Sequence, residues 1–213
     1  MSKNFVFIQS ANLDDLPLAS MLSSPLLSEQ VRTQAARLSG VRQTQFVACR
    51  YLLAEILNHY FDISYLPNIV IGNNQRPQFD KANLPDFNIS HSHNYVAVGV
   101  SSQGRLGLDI EFKRTRKNFM AIAKQFFSAQ ENQWLNEQAD PLDAFWQLWT
   151  LRESALKLYA KGVWQMKEMQ IEMPKQRITA EFAEAFYAHH QTVGAICLSV
   201  CSNQPIDILE INQ

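Results

Sequence analysis

The sequence predicts an α+β fold made of two similar α/β halves related by a pseudo-two-fold axis. In each half, segments with apolar residues at helical spacing precede short runs rich in β-branched and aromatic residues. The turn residues at 102–104 separate an N-terminal half, 1–104, from a C-terminal half, 105–213. Helices are predicted over 28–38, 42–61, 128–135 and 142–161, and strands over 5–8, 68–71, 87–90, 95–101, 106–111, 169–173, 193–200 and 207–211.

Start and stop residues bound the elements of the first half. Ser28 is a typical N-cap for the first helix, and Gly40 separates that helix from the longer second one. The prolines within 16–27 predict an irregular stretch, and the Gly-Asn-Asn sequence at 72–74 predicts a turn.

The same signals bound the helices of the second half. Ser128 and Glu131 have the spacing of a capping box and open the third helix. Gly162 is predicted to end the long fourth helix.

Composition limits the classes of function. The 213 residues are 46% hydrophobic and 18% charged, as in an ordinary globular protein, and the net charge of −1 argues against nucleic-acid binding. Cys49, Cys197 and Cys201 are odd in number and lack metal-ligand spacing, so we expect free thiols in a reducing compartment. No segment has the length and hydropathy of a signal peptide or a membrane span. We therefore expect a cytoplasmic monomer without membrane or nucleic-acid partners.

Two carboxylates in an apolar strand are the first candidate for chemistry. Asp109 and Glu111 stand two residues apart, so both side chains point to the same face of the strand. Neighbouring carboxylates repel each other unless a positive charge lies between them, and Mg²⁺ prefers oxygen ligands. The alternative is an acidic strand end in water.

Two charged residues interrupt the apolar stripes of the long helices. Glu153 lies on the stripe of Trp146 and Trp149, with Lys157 one turn later. A buried carboxylate needs a partner, so we expect Glu153 to share a cation with the strand carboxylates, or else to pair with Lys157 on an exposed face. Arg50 interrupts the stripe of the second helix, where it either reaches the surface or holds an anion.

The strand 87–90 leads into a loop rich in serine and histidine. Such a loop can present donors to a phosphate, or it can be a turn without a ligand. A zinc site at His91 and His93 lacks a third ligand at suitable spacing, and a serine hydrolase would need a Gly-x-Ser-x-Gly sequence, which the chain lacks.

Five segments, taken in order, point to a known family. They are Arg76-Pro77, Phe87–Ser92, Gly107–Glu111, Phe126–Ser128 with Glu131, and Trp149–Lys157 with Lys161-Gly162. Over about residues 40–165 the chain resembles the pseudodimeric 4′-phosphopantetheinyl transferases, the type named for the enzyme that activates surfactin synthetase. The resemblance implies the 4′-phosphopantetheinyl transferase fold.

The resemblance implies a reaction and its catalytic residues. The 4′-phosphopantetheine group of coenzyme A would pass to a serine of an apo acyl- or peptidyl-carrier protein, releasing adenosine 3′,5′-bisphosphate. Asp109, Glu111 and Glu153 would bind Mg²⁺ or Mn²⁺. Glu153 would also take the serine proton, and Lys157 would neutralise the departing phosphate.

The resemblance also implies the substrate contacts. The coenzyme A contacts would be Arg50, Arg76, Ser90, His91, Arg152, Lys157 and Arg37, with Arg50 and His91 nearest the 3′-phosphate. Arg76 and Arg152 stand where the family more often has lysine, and Ala160 stands where it has glycine.

The most basic stretch of the chain would receive the carrier. Its cations are Lys113, Arg114, Arg116 and Lys117. An exposed loop is the alternative suggested by charge alone. The resemblance favours docking, because carriers of fatty-acid, polyketide, peptide or polyunsaturated-lipid synthesis are typically acidic.

Two other functions compete with transfer. A metal-dependent nuclease can also use Asp-x-Glu on a strand, but it would need later aspartates near a histidine and a basic groove. A non-catalytic relative that binds coenzyme A or a carrier would tolerate loss of the acids, and all three are present.

Overall fold

The computed structural model describes residues 3–72 and 74–213, and the chain forms two compact units. The first unit comprises Met1–Gln103 with Asp207–Gln213, and the second comprises Gly104–Ile206. Asn73, in the turn predicted at 72–74, lies outside the described residues. The mixture of helices and sheets confirms the predicted α+β class.

The elements follow in chain order. The helices are α1 (Leu18–Ser23), α2 (Glu29–Ala35), α3 (Gly40–Phe61), α4 (Phe119–Phe126), α5 (Ala129–Glu137) and α6 (Pro141–Tyr159), and the strands are β1 (Phe5–Asn12), β2 (Ile69–Ile71), β3 (Pro77–Phe79), β4 (Asp86–Ser92), β5 (Tyr95–Ser101), β6 (Leu106–Phe112), β7 (Met169–Glu172), β8 (Arg177–Ala180), β9 (Tyr187–Val193), β10 (Ile196–Ser202) and β11 (Ile208–Asn212).

In the first unit, helix α3 lies against a sheet of order β11-β1-β5-β4. Leu53 and Leu57 of α3 are fully buried in one core with Val98 of β5. Strands β2 and β3 form a separate two-stranded sheet. The burial of one face of α3 places Arg50, at the edge of that core, beside a cavity described below.

In the second unit, helix α6 packs on strands β6 and β10 of a sheet with order β6-β10-β9. Phe145, Trp146 and Leu148 of α6 are completely buried. Gly107 permits the close approach of helix and strand, because a Cβ atom there would lie 2.0 Å from the carbonyl oxygen of Ser154. On these packed elements, Asp109 and Glu111 of β6 lie within electrostatic range of Glu153 of α6.

Helix α6 ends differently from the prediction. Ala160 is its C-cap and has the left-handed conformation (φ 51°), a position that favours glycine. Gly162, predicted to end the helix, instead precedes a 3₁₀ segment, Val163–Glu168. The prediction was therefore wrong by two residues, since a left-handed alanine carries no breaker signal.

Three other expectations need correction. Gly40 begins α3 with φ 56°, rather than lying between two helices. Helix α1 lies in the stretch predicted to be irregular, where Pro17 precedes its first turn. Residues 207–213, predicted to lie in the C-terminal half, group with the first unit because β11 pairs in parallel with β1.

Within the described part of the chain, no helix has both the length and the hydropathy needed to cross a bilayer. The pseudo-two-fold relation between the halves stays a prediction.

Candidate functional site

Strand β6 and helix α6 present the predicted carboxylates in the second unit. Asp109 is buried in the middle of β6, and Glu111 is partly buried near its end. Glu153 is partly buried on the facing helix. Lys157, one turn further along α6, places its Nζ 2.7 Å from Oδ1 of Asp109. The structure therefore joins Asp109 and Lys157 directly.

The charges at this junction are coupled. Burial raises the pKa of Glu153 to about 7, the negative charges of Asp109 and Glu111 add to that rise, and Lys157 opposes it. The three carboxylates therefore lie close enough to influence one another. Such a group holds a protonated member or a bound cation more readily than three separate charges.

The donor chemistry of this group fits a hard divalent cation. Carboxylate oxygens are the ligands that Mg²⁺ and Mn²⁺ prefer, and the ammonium of Lys157 now supplies the positive charge beside Asp109. Among the residues that the structure describes, no three His, Cys, Asp or Glu side chains stand together as a ready metal cluster. The carboxylate set therefore fits a hard divalent cation by the chemistry of its donors.

Arg152 does not lie where a coenzyme A contact would require. Its side chain is completely buried, and its guanidinium pairs with the carboxylate of Glu131, which is also completely buried. Nη2 of Arg152 donates to Glu131, and Nη1 donates to the carbonyl oxygens of Met166 (2.5 Å) and Met169 (3.2 Å). The assignment of Arg152 to coenzyme A is therefore corrected, because its donors serve the interior of the second unit.

Glu131 completes this buried network. Besides binding Arg152, it accepts hydrogen bonds from the backbone nitrogens of Ser128 (2.5 Å) and Ile171 (2.8 Å). The capping box predicted from Ser128 and Glu131 is confirmed. The pair thus links α5, α6, the 3₁₀ segment and β7, and its cost of desolvation is offset by the many hydrogen bonds.

The basic segment 113–117 divides into engaged and exposed cations. The Nζ of Lys113 lies 2.7 Å from Oδ1 of Asp143, and Arg116 stacks 5.1 Å from the ring centroid of Trp149. Arg114 and Lys117 are exposed, and in the described part of the chain neither makes an ion pair. Within the segment 113–117, Arg114 and Lys117 are therefore the cations whose charges are most available to attract a partner.

A cavity of about 620 Å³ in the first unit gathers several predicted coenzyme A contacts. Its cationic and imidazole side chains are Arg37, Arg42, Arg50 and His91. Among the described residues that line it, none is acidic. Much of the remaining wall is apolar, including Leu38, Phe46, Leu66, Ile69 and Ile89. An anionic ligand with an apolar or aromatic part fits such a cavity.

Arg50 is held in place at the edge of this cavity. Its guanidinium carbon lies 3.5 Å from the ring centroid of Phe46, and Nη1 donates to the Phe46 carbonyl oxygen at 3.1 Å. Burial lowers the pKa of Arg50, although the group stays charged at neutral pH. The Phe46 ring supports the guanidinium and leaves other N–H donors for an anion. The interpretation that Arg50 holds an anion is therefore favoured over the one in which it only reaches the surface.

Ser90 and Arg76 lie away from the cavity wall. Ser90 is buried on β4, on the opposite face from His91. Arg76 is buried and binds Asp86 through two parallel hydrogen bonds of 2.7 Å, and it donates to the carbonyl oxygen of Phe87 at 2.9 Å. This ion pair engages the charge of Arg76, and the phosphate contact of Arg76 stays a prediction. The Ser90 assignment stays a prediction.

Sequence reasoning missed the partners of these buried arginines. Asp86 and Glu131 are distant from Arg76 and Arg152 along the chain, so no local spacing reveals either pair. Arg42 was considered with Arg37 as a basic residue that could hold the ligand, and it lines the same cavity.

The second unit matches a known family. Residues 105–201 match the model of the 4′-phosphopantetheinyl transferase superfamily. The chain is 29% identical over 191 residues to the 4′-phosphopantetheinyl transferase AcpT of Salmonella typhi, covering 89% of this chain and 91% of that protein.

Other relatives align over shorter stretches. The chain is 39% identical over 140 residues to the uncharacterized protein YieE of Escherichia coli K12, and 34% identical over 111 residues to a putative 4′-phosphopantetheinyl transferase of Haemophilus influenzae. These alignments cover 64% and 50% of this chain, and 56% and 46% of the relatives. The chain thus spans about half the length of these two relatives. Over residues 105–201, which include every metal and catalytic candidate, the chain therefore matches the 4′-phosphopantetheinyl transferase superfamily.

Proposed function

We propose that this protein transfers the 4′-phosphopantetheine group of coenzyme A to a serine of an apo acyl- or peptidyl-carrier protein. The observation that carries the proposal is the coupled group of Asp109, Glu111, Glu153 and Lys157 on β6 and α6. This group lies within the segment that matches the transferase superfamily. The resemblance to the pseudodimeric type over about residues 40–165 adds support to the proposal.

The reaction is a phosphoryl-type displacement. The carrier serine oxygen forms a bond to the phosphorus that carries pantetheine, and the bond from that phosphorus to the bridging oxygen breaks, releasing adenosine 3′,5′-bisphosphate. Glu153 is proposed to accept the serine proton. Lys157, whose ammonium already faces an anionic group, would stabilise the negative charge on the leaving phosphate. Such transfers depend on positioning and charge stabilisation.

Asp109, Glu111 and Glu153 would hold Mg²⁺ or Mn²⁺. When bound, the metal would supply positive charge to the pyrophosphate. The support from this chain is that Asp109 and Glu111 on β6 help to raise the pKa of Glu153 on α6, so the three carboxylates lie near one another.

The cavity of the first unit is proposed to take the nucleotide end of coenzyme A. Arg50, supported by Phe46, and His91 would bind the 3′-phosphate, and Arg37 and Arg42 would add positive charge at the rim. The apolar wall suits the adenine ring.

One experiment tests the function. The protein is incubated with coenzyme A, Mg²⁺ and a panel of apo-carriers, and each carrier is examined by intact-mass measurement. We expect a mass increase of one phosphopantetheine on at least one carrier, and none when its acceptor serine is replaced by alanine. Binding of coenzyme A without transfer to any carrier would favour the non-catalytic alternative, and metal-dependent cleavage of DNA would favour the nuclease.

A further inference from the structure

The most exposed large aromatic side chain in the described part of the second unit is Trp164. It is 68% exposed, and its neighbour Val163 is 40% exposed. A tryptophan that leaves most of its apolar surface in water is unusual unless it contacts a partner.

The segment that carries Trp164 is anchored. Met166, two residues later, is completely buried, and its carbonyl oxygen accepts a hydrogen bond from Arg152. Because the buried ion pair with Glu131 fixes Arg152, the 3₁₀ segment has little freedom to withdraw Trp164 from water. A side chain already held in its exposed position loses little conformational entropy when a partner covers it.

Trp164 is part of a continuous row of rings that leads to the basic segment. Its ring centroid lies 6.4 Å from that of Phe126, which lies 6.3 Å from Trp149. The guanidinium of Arg116 stacks on Trp149, and the ammonium of Lys167 lies 5.8 Å from the Phe126 ring. Apolar surface and cations therefore alternate along one connected set of side chains.

We propose that an anchor surface, formed by Phe126, Val163, Trp164 and Lys167, binds an acidic carrier protein. The contact would be made by an apolar side chain of the carrier. The proposal rests on the proposed transferase function. Trp164 and Phe126 would take the apolar side chain, and Lys167 would face a carboxylate beside it. Exposed Arg114 and Lys117 would attract the acidic partner at longer range. The positive charges of Lys167, Arg114 and Lys117 are complementary to an acidic protein, which we therefore propose as the partner.

The experiment compares matched variants on exposed positions. Trp164→Ala is paired with Tyr187→Ala, another exposed aromatic of the second unit (42% exposed), and Lys167→Ser is paired with Lys175→Ser, whose side chain is 72% exposed. For each variant the KM for the apo-carrier, the KM for coenzyme A, and kcat at saturating carrier are measured.

We expect Trp164→Ala to raise the carrier KM on the order of tenfold, as loss of a central aromatic contact commonly does, with the coenzyme A KM and kcat unchanged. Lys167→Ser should raise the carrier KM by a smaller factor and make that KM less dependent on salt concentration. Tyr187→Ala and Lys175→Ser should behave as wild type. Carrier should also protect Trp164 fluorescence from acrylamide, an effect that the Trp164→Phe variant should lack.

The outcomes separate the two proposals. If wild type transfers and Trp164→Ala has an unchanged carrier KM, the anchor surface is rejected and the transferase function stands. If Trp164→Ala converts a dimer to a monomer in solution with an unchanged carrier KM, a second copy of the chain covers the surface and the proposal is rejected. If wild type transfers to no carrier, the function and the anchor surface are both rejected.

Discussion

The ammonium nitrogen of Lys157 lies 2.7 Å from a carboxylate oxygen of Asp109, so a helix residue and a strand residue share one charge pair at the candidate site. Asp109→Ala removes a proposed metal ligand and the partner of Lys157. We expect transfer to be lost at ordinary Mg²⁺ concentration, with circular dichroism and Tm close to wild type. Glu181→Ala, at an exposed position, is the control. Normal turnover of Asp109→Ala would overturn the metal assignment.

Glu153→Gln tests whether the residue is a base as well as a ligand. The substitution keeps the side-chain volume and one oxygen, but it removes the proton acceptor. We expect coenzyme A binding in the presence of Mg²⁺ to weaken only slightly, and the transfer rate to fall by a factor on the order of 10² or more. Calorimetry and single-turnover mass measurement check the two parts. A glutamine variant that transfers near the wild-type rate would leave Glu153 as a ligand only.

Arg50→Ala tests the nucleotide end of the proposed site. Wild type should prefer coenzyme A to its 3′-dephospho form, because one charge-assisted hydrogen bond contributes about 1.5–3 kcal/mol. The ratio of kcat/KM for the two substrates should shrink in the variant, and Lys81→Ala, an exposed cation outside the cavity lining, should leave it unchanged. An unchanged ratio in Arg50→Ala would show that the cavity binds something else.

Arg152→Met tests whether Arg152 serves an internal ion pair or a contact with coenzyme A. Removing one member of a buried pair leaves the Glu131 carboxylate uncompensated and should cost about 3–5 kcal/mol of unfolding free energy. Arg177→Met breaks an exposed pair with Glu172, which should contribute below about 1 kcal/mol. Urea denaturation measures both. A stable Arg152→Met with a raised coenzyme A KM would restore the original assignment.

Gly107→Ala tests the packing that brings β6 to α6. The added methyl group would overlap backbone atoms of Ser154 and Leu158, so the helix must move away from the strand. We expect a lower Tm and a transfer rate reduced further than coenzyme A binding. Gly162→Ala is the matched control, because its nearest contact is a flexible side-chain oxygen of Gln165 at 3.3 Å. A fully active and stable Gly107→Ala would show that the close approach is dispensable.

The sequence predicted those elements whose signals are local. Strand β5 lies at Tyr95–Ser101 as predicted, and Ser128 forms its capping box with Glu131. Helix α4 and strands β3, β8 and β9 were missed, since none of them has a side-chain cap or a sustained apolar alternation. The strand predicted over 193–200 runs across the turn between β9 and β10. The existence of long elements was therefore better predicted than their bounds.

The candidate site was predicted unevenly for a related reason. Spacing along a strand and a helix was enough to select Asp109, Glu111 and Glu153 as one charge group, and the coupled pKa of Glu153 supports that grouping. Spacing could not tell Arg50, at a cavity, from Arg152, in the interior. The difference depends on whether a carboxylate from a distant segment reaches the guanidinium, which is a property of the tertiary structure.

The parallel pairing of β11 with β1 determines which truncated forms of the protein keep the first sheet complete. A fragment ending at residue 103 would lack the strand that covers one edge of β1, and an uncovered edge promotes aggregation. Residues 104–206, by contrast, form an uninterrupted insertion. At the end of the first segment of this unit, the backbone N–H of Ser102 donates to the carbonyl oxygen of Phe5. Where the chain returns, the backbone N–H of Asp207 donates to the carbonyl oxygen of Asn4. A short linker could therefore replace the whole second unit and leave every strand of the first in one polypeptide.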